Sequence, residues 1–170
     1  MERDIWTIAS KKEEKFLRTK TKLFDFKAFA KRDIASLVAR MKKSMRAANG
    51  VGLSANQIGL DFRVFVAEVP DGRGGAKFYS IFNPTLEKFS KGKIDFEEGC
   101  LSVPGSYGNV ARPETLTLRG CDKNGKAVKI KAWGLLARVF QHEMDHLDGK
   151  LFIDKAVHLR KYENVRKYEK

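Results

Sequence analysis

The stretch Gln141-His142-Glu143-Met144-Asp145-His146 decides how this chain is organised. It contains two of the three histidines of the protein, four residues apart, with a glutamate directly after the first. Residues i and i+4 lie on the same face of an α-helix, so both imidazoles can bind one metal ion while Glu143 lies beside it as a proton acceptor. Two core histidines without a metal are the alternative interpretation. Gly149 is expected to end the helix. Apolar residues recur around the stretch at helical spacing: Leu135, Leu136, Val139, Phe140 and Leu147.

The composition limits the class of protein. The chain has 170 residues, 42% of them apolar, which is sufficient for one folded domain with a hydrophobic core. No apolar run approaches the ~18 residues of a membrane-spanning helix, and the N-terminal region has no signal-peptide pattern. The two cysteines, Cys100 and Cys121, are too few for a disulfide framework. We therefore expect a cytoplasmic protein in which a free thiolate is available to a metal.

Positive charge is concentrated at the two ends of the chain. Residues 1–46 carry 14 basic and 6 acidic side chains, and residues 155–170 carry 6 and 2. The remaining 108 residues carry 14 basic and 13 acidic side chains, so they contribute little to the net charge of +13. The basic ends are either an ordinary solvated surface or a contact for a polyanion such as RNA.

The order of predicted elements indicates one α+β domain over residues 1–170. A helical pattern covers residues 26–48, with Asp25 as its N-cap. Strand patterns follow at 62–69, 78–82, 85–89, 94–98, 114–120 and 128–130. After residue 154 we expect a short basic helix with Val157, Tyr162 and Val165 partly buried. Because helices and strands do not alternate, antiparallel sheets are expected to pack around the central metal-binding helix.

Two histidines do not complete a catalytic metal site, which usually has three protein ligands and one open position. Phe152 stands where a metzincin would have its third histidine, and the glutamates available to a gluzincin, Glu163 and Glu169, lie in the basic tail. His158 lies downstream without a recognised spacing. Upstream, Cys100 follows a glycine in a strand pattern, and a thiolate is a strong ligand. The residues alone leave these alternatives open.

Three segments carry a family resemblance: GVGLSANQ at 50–57, EGCLS at 98–102 and QHEMDH at 141–146. In this order and at these separations they resemble the peptide deformylase family, and together they are highly specific. The resemblance covers roughly residues 26–154, whereas the first 25 residues and the tail 155–170 match poorly. Ser54 departs from the alanine that is usual in the family, and because the two side chains are similar in size we expect a small effect.

The resemblance implies a catalytic divalent metal held by Cys100, His142 and His146. Family members typically use Fe²⁺, with Ni²⁺, Co²⁺ or Zn²⁺ as substitutes. The implied activity is that of a metal-dependent hydrolase that removes the N-terminal formyl group from formyl-methionine of newly synthesised polypeptides. A metal lowers the pKa of bound water, which attacks the formyl carbon while Glu143 takes its proton and delivers it to the leaving amine.

The resemblance also implies roles for residues around the metal. The side-chain amide of Gln57 and the backbone N–H of Leu101 would donate to the oxyanion. The substrate backbone would pair with Val51 and Gly52 as an added strand. Val51 and Val139 are candidates for the apolar pocket that receives the methionine side chain.

Three charged residues near the predicted site have structural interpretations. Glu98 and Arg112 are either a buried pair that supports the strand of Cys100 or two solvated charges. Arg138 is expected to face solvent or to lay its aliphatic stem along the rim of the pocket.

Two other functions fit parts of the pattern. A H-E-x-x-H metallopeptidase with a different third ligand would not need Cys100. A basic ribosome- or RNA-binding domain with a structural metal would need a fourth ligand, and the sequence offers no suitable second cysteine or histidine and no aromatic-rich RNA motif. The expected partners are therefore formyl-methionyl nascent peptides and, weakly through the basic ends, the ribosome. We expect no membrane partner and no sequence-specific nucleic acid.

Overall fold

Two antiparallel sheets and three α-helices make up residues 5–161, the part of the chain that the computed structural model describes. The helices are α1 (Lys11–Leu17), α2 (Lys31–Ala47) and α3 (Gly134–Leu147). The strands are β1 (Gly52–Ser54), β2 (Val64–Pro70), β3 (Ala76–Glu87), β4 (Lys93–Cys100), β5 (Val103–Pro113), β6 (Thr115–Cys121), β7 (Ala127–Trp133) and β8 (Val157–Lys161). The α+β prediction is confirmed. None of the helices within residues 5–161 has the length and apolar character needed to cross a membrane.

The larger sheet, in the order β1-β2-β3-β6-β7, lies between α2 and α3. The side chains of strand β2 explain this position of the sheet. Val64 and Val66 pack with the apolar residues of α2, whereas Phe65, Ala67 and Val69 pack with those of α3. Successive side chains of a strand point to opposite faces, so a strand covered on both faces is apolar throughout rather than alternating. Helix α3 is thereby fixed against the sheet along its apolar side.

Helix α2 is shorter than the predicted helix over 26–48. Its buried residues recur at helical spacing, and the chain leaves the helix at Asn49, whose φ is 54°, with the N–H of Gly50 bonded to the carbonyl of Met45. Phe26–Ala28 instead form a separate 3-10 turn, which Asp25 caps through the N–H of Lys27. Aromatic packing among phenylalanines around this turn overrides the helical pattern: Phe24, Phe26, Phe29, Phe62 and Phe82.

Strand β3 joins two strands that the sequence predicts separately, at 78–82 and 85–89. The pairing of β3 with β6 shifts register between Phe82 and Thr85, at the Asn83-Pro84 step. Proline has no N–H to donate to a sheet, so the ladder is interrupted there while the strand continues. Helix α1 was not predicted. Ser10 caps it through the N–H of Glu13, a start signal that the surrounding charged residues obscure.

The smaller sheet, in the order β4-β5-β8, corrects the prediction for the end of the chain. Residues 157–161 form strand β8 and not a helix, and Val157 is 54% exposed rather than partly buried. Strand β8 pairs with β5, matching Tyr107 with Arg160. The open edge of β5 offers unpaired backbone groups, and satisfying them outweighs a weak helical spacing. Tyr162 and Val165 lie outside the described residues.

Gly149 ends α3 as predicted and gives a test of the fold. Its φ is 72°, and a Cβ added there would lie 2.5 Å from the carbonyl oxygen of Arg18. We expect Gly149→Ala to lower the free energy of unfolding by more than ~2 kcal/mol, because left-handed strain and overlap with backbone act together. Gly74→Ala is the control, since Gly74 has φ 85° but no atom within 4 Å of the added Cβ. Equal losses in urea unfolding would contradict this account.

Candidate metal centre

Helix α3 carries His142, Glu143 and His146 on a single stretch that begins at Gly134, as predicted. Glu143 and His146 are buried, with 2% and 1% of their surfaces exposed. The helix ends directly after the second histidine, where the N–H of Gly149 bonds to the carbonyl of His146. The rings of His142 and His146 lie with centroids 5.0 Å apart, as expected for positions i and i+4. The two imidazoles therefore face the same space.

Strand β4 brings a thiol into that space. Its pairing with β5 shifts register between Gly99 and Cys100, at the end of the hairpin. There the Sγ of Cys100 lies 3.1 Å from Nε2 of His146. One ligand atom from each of Cys100, His142 and His146 lies within 4.8 Å of the other two. His158 lies on β8, with φ 54° and an exposed side chain, and Glu163 and Glu169 are outside the described residues.

The charge state of these groups suits a metal. Burial alone would raise the pKa of the Cys100 thiol, but the neighbouring His146 and His142 lower it to about 5. For His142 the effects are reversed. Burial alone would lower its pKa, but the Cys100 thiolate and Glu98 outweigh burial and raise the pKa to about 10. A thiolate is thus present at neutral pH, and metal binding would displace the imidazolium proton. One thiolate and two imidazoles fit a divalent metal with an open position.

Glu98 is the acceptor at which the charged groups around the site meet. It accepts from Arg112 Nε at 2.6 Å and Nη2 at 2.9 Å, and lies 3.0 Å from Nδ1 of His142. Burial favours the neutral acid, but Arg112 and His142 hold the pKa of Glu98 well below its usual range. Of the two interpretations of Glu98 and Arg112, the buried pair is therefore correct. By binding Nδ1, Glu98 turns Nε2 of His142 towards Cys100.

Arg138 does not face solvent, so the first of its two expected environments is wrong; its side chain instead lines a cavity at the start of α3, as the second would require. Its side chain is 12% exposed and donates to Oε1 of Glu98 at 2.6 Å. It also donates to the carbonyls of Val110, at 2.9 Å, and Ile94, at 2.7 Å. The guanidinium joins β4, β5 and α3 because its planar fork matches three acceptors that converge there.

Asp145, inside the metal-binding motif, was missed as a structural residue. It lies 2.8 Å from Nη1 of Arg112 and 2.6 Å from Nζ of Lys155. Arg112 is thereby held between two carboxylates, one on β4 and one on α3. No local pattern marks the pairing of Arg112 with Asp145, because the two residues are far apart in sequence.

Gln57 lies in the buried 3-10 turn Ala55–Ile58 with its side-chain orientation fixed. Its Oε1 accepts from the N–H of Ser54 at 2.9 Å, so its Nε2 donates to Ser102 Oγ at 3.0 Å and lies 3.8 Å from Cys100 Sγ. One amide N–H group therefore points towards Cys100, and the other points towards Ser102. Leu101 directly follows Cys100 at the turn into β5 and is half-buried.

The Glu143 carboxylate is enclosed by strand β1. A Cβ on Gly52 would overlap its Oε1, so only glycine allows the carboxylate to lie there. Ser54 Oγ donates to Oε2 at 2.7 Å. Burial raises the pKa of Glu143 despite the neighbouring histidines, which makes the carboxylate a better proton acceptor.

Val51 and Val139, the two candidates for the methionine pocket, lie in different environments. Val139 is buried in the core between α3 and the larger sheet, whereas Val51 is 48% exposed beside β1. A cavity of about 180 Å³ lies elsewhere, at the start of α3, and Val51 and Val139 are not among its lining residues: Ile94, Phe96, Arg112, Pro113, Glu114, Gly134, Leu135 and Arg138.

Comparison with known proteins decides the family. The profile of the polypeptide deformylase family matches residues 6–162. The chain belongs to this family. The match reaches well into the N-terminal region, beyond the expected range of 26–154. Its members are hydrolases that act on the formyl group of nascent peptides.

Individual relatives and solved structures belong to the same family. The chain is 46% identical to a peptide deformylase of Halothermothrix orenii over 124 residues, 73% of this chain and 78% of the relative. It is also 46% identical to one of Prochlorococcus marinus, over 72% of this chain and 61% of the relative. Among solved structures, a deformylase of Synechococcus elongatus in complex with actinonin matches with a TM-score of 0.81 and 32% identity, over 91% of this chain and 80% of that one. A probable deformylase of Synechococcus phage S-SSM7 matches with a TM-score of 0.79 and 38% identity, over 89% of this chain and 97% of that one.

The buried pair gives a stability prediction. Arg112→Met leaves Glu98 and Asp145 without their shared guanidinium, and breaking such a buried pair costs roughly 3–5 kcal/mol. We expect this loss in urea unfolding. Arg119→Met, which breaks an exposed pair with Glu87, should leave the midpoint almost unchanged. A small effect of Arg112→Met would show that the remaining donors suffice for Glu98.

The cysteine gives a metal prediction. We expect Cys100→Ala to lose most bound metal and activity, because a two-histidine site is left without its thiolate. Cys121→Ala is the matched control, since Cys121 is the other free cysteine and lies at the end of β6. Metal content per chain by atomic absorption is the measurement, and normal content in Cys100→Ala would exclude Cys100 as a ligand.

Proposed function

We propose that this chain removes the formyl group from N-terminal formyl-methionine of nascent peptides. The observation that carries the proposal is the meeting of Cys100 with His142 and His146 beside the buried Glu143. An alternative metallopeptidase would need a different third ligand. The relatives support the substrate class, since a deformylase of Acinetobacter baumannii, 28% identical to this chain, has been solved bound to Met-Ala-Ser.

Cys100, His142 and His146 are the residues that would hold the metal. A bound divalent metal would lower the pKa of water and polarise the formyl oxygen. One thiolate and two imidazoles suit Fe²⁺, with Ni²⁺, Co²⁺ or Zn²⁺ as substitutes. Because Cys100 and Cys121 are both free, as is usual for cysteines in a reducing compartment, we infer a cytoplasmic location.

Glu143 is assigned the proton transfers. Its carboxylate is buried, follows His142 directly and has its pKa raised by burial. It takes the proton of the attacking water as the formyl carbon becomes tetrahedral, and then delivers the proton to the nitrogen that leaves. The free amine and formate are the products.

Gln57 and Leu101 are assigned to the oxyanion. The amide of Gln57 is held by the N–H of Ser54, so one of its two N–H groups already points towards Cys100 before substrate binds, while the other donates to Ser102. Leu101 supplies a backbone N–H from the turn after Cys100. Preorganised donors stabilise the charge that develops in the transition state, since they need no rearrangement during the reaction.

An extended substrate would bind along β1, an edge strand of the larger sheet. The carbonyl of Val51 accepts from the N–H of Glu68, so by the alternation of an antiparallel ladder the polar groups of Gly52 face the open edge. A substrate backbone pairing with Gly52 would direct its N-terminus towards Glu143. Val51, exposed beside this edge, would contact the substrate.

The cavity at the start of α3 is a better candidate pocket for the methionine side chain than the surroundings of Val51 or Val139. The cavity at the start of α3 is lined by Phe96 and Leu135. Phe96 shares a face of β4 with Glu98, and Leu135 lies on the stripe of α3 that leads to His142. Both elements therefore run from the cavity to the metal-binding residues. We propose this cavity for the methionine side chain.

The basic ends are proposed to contact the ribosome weakly. Lys11 and Lys12 on α1 and Arg160 and Lys161 on β8 are exposed. A deformylase meets its substrate as the chain leaves the ribosome, whose RNA attracts basic surfaces.

One assay tests the proposed activity. Anaerobically prepared, Fe²⁺-loaded protein is offered three peptides: formyl-Met-Ala-Ser, acetyl-Met-Ala-Ser and a longer peptide blocked at both ends. We expect release of formate from the first and no cleavage of the others. Cleavage of the blocked peptide at an internal bond would favour the metallopeptidase and overturn the proposal.

Glu143→Gln gives a mechanistic prediction. The amide keeps the size of the carboxylate but cannot accept a proton, so kcat should fall by ~10²–10⁴. Metal content should remain normal. Loss of the metal would make Glu143 a ligand, and near-normal turnover with the metal retained would mean that another group carries the proton.

The ribosome proposal gives a salt-dependent prediction. Changing Lys11, Lys12, Arg160 and Lys161 together to Gln should weaken cosedimentation with ribosomes, with the affinity of the unchanged protein falling as salt rises. Activity on short peptides should be unaffected.

The control changes four exposed lysines outside the basic ends: Lys91, Lys93, Lys129 and Lys131. Equal weakening in both variants would mean that net charge alone, and not the basic ends, determines binding.

A further inference from the structure

Ser54 contacts both residues to which the proton transfer and the oxyanion are assigned. It ends β1 with none of its surface exposed. Its Oγ lies 2.7 Å from Oε2 of Glu143 and 3.1 Å from the Glu143 carbonyl oxygen. Its N–H donates to Oε1 of Gln57. The hydroxyl has one proton, and the carboxyl oxygen of Glu143 is the closer of the two acceptors.

We propose that Ser54 is a positioning residue that holds the carboxylate of Glu143 in its working orientation through Oε2. This inference rests on the proposed role of Glu143 as the proton carrier. The other oxygen, Oε1, lies against Gly52, which brings no side chain to compete for it. With one oxygen held by the hydroxyl, the carboxylate keeps a fixed orientation, and Oε1 is the oxygen left to accept the proton of water.

The expectation from side-chain size is therefore incomplete. Alanine has nearly the volume of serine, so Ser54→Ala should preserve packing. It removes the donor, however, and leaves a buried carboxylate that can turn about its terminal bond. Proton transfer depends on orientation, so the loss should affect the rate rather than substrate binding.

The test begins with Ser54→Ala in the metal-loaded protein. We expect kcat to fall about tenfold, the scale of one hydrogen bond to a charged group, with KM changed less than about twofold and metal content unchanged. Ser106→Ala is the control, since Ser106 is a buried serine on β5. An unchanged kcat in Ser54→Ala would overturn the proposal.

A double-mutant cycle separates positioning from a structural effect. In a Glu143→Gln background there is no proton carrier left to orient, so adding Ser54→Ala should change the residual kcat less than about twofold. A similar tenfold loss in both backgrounds would mean that Ser54 supports the fold generally, and would overturn the proposal. Near-normal kcat in Glu143→Gln alone would instead overturn the role of Glu143, so the two failures are distinguishable.

Discussion

The buried carboxylate of Glu98 is the constraint on which the rest of this site depends. An isolated charge in the interior costs several kcal/mol, and its pairing must come from donors of good geometry. Here the donors are Arg112 from β5 and Arg138 and His142 from α3. Satisfying one carboxylate therefore joins the smaller sheet to the helix. It also fixes the ring of His142, so the same set of bonds would serve both folding and the proposed metal binding.

The site is assembled from three segments that are distant in sequence. Helix α3 contributes both histidines and Glu143, β4 contributes Cys100, and β1 with the following 3-10 turn contributes Gly52, Ser54 and Gln57. Each segment is held by a different kind of interaction. Apolar packing on β2 holds α3, the charged residues around Glu98 join β4 to α3, and backbone pairing with β2 holds β1. A defect at β4 would move Cys100 away from the two histidines, and a defect at β1 would move Ser54 and Gln57 away from Glu143.

Local patterns predicted what depends on local physics. The spacing of His142 and His146 and the position of Gly149 predicted α3 and its end correctly, because helical periodicity and a left-handed glycine are properties of neighbouring residues. Cys100 was singled out only through the family resemblance, since its position beside the histidines depends on how β4 meets α3. The solvent-facing alternative for Arg138 was wrong because its acceptors come from two other strands. The helix expected after residue 154 failed for a similar reason, since the edge of β5 lies far upstream in sequence.

The central claim is that one thiolate and two imidazoles hold a single metal ion. X-ray absorption spectroscopy of the Co²⁺-substituted protein, combined with metal analysis, tests it most directly. The account predicts one metal per chain, with one sulfur ligand at about 2.3 Å and two imidazole nitrogens at about 2.0–2.1 Å, distances like those of zinc sites of the same ligand types. A spectrum with nitrogen and oxygen ligands only would contradict it.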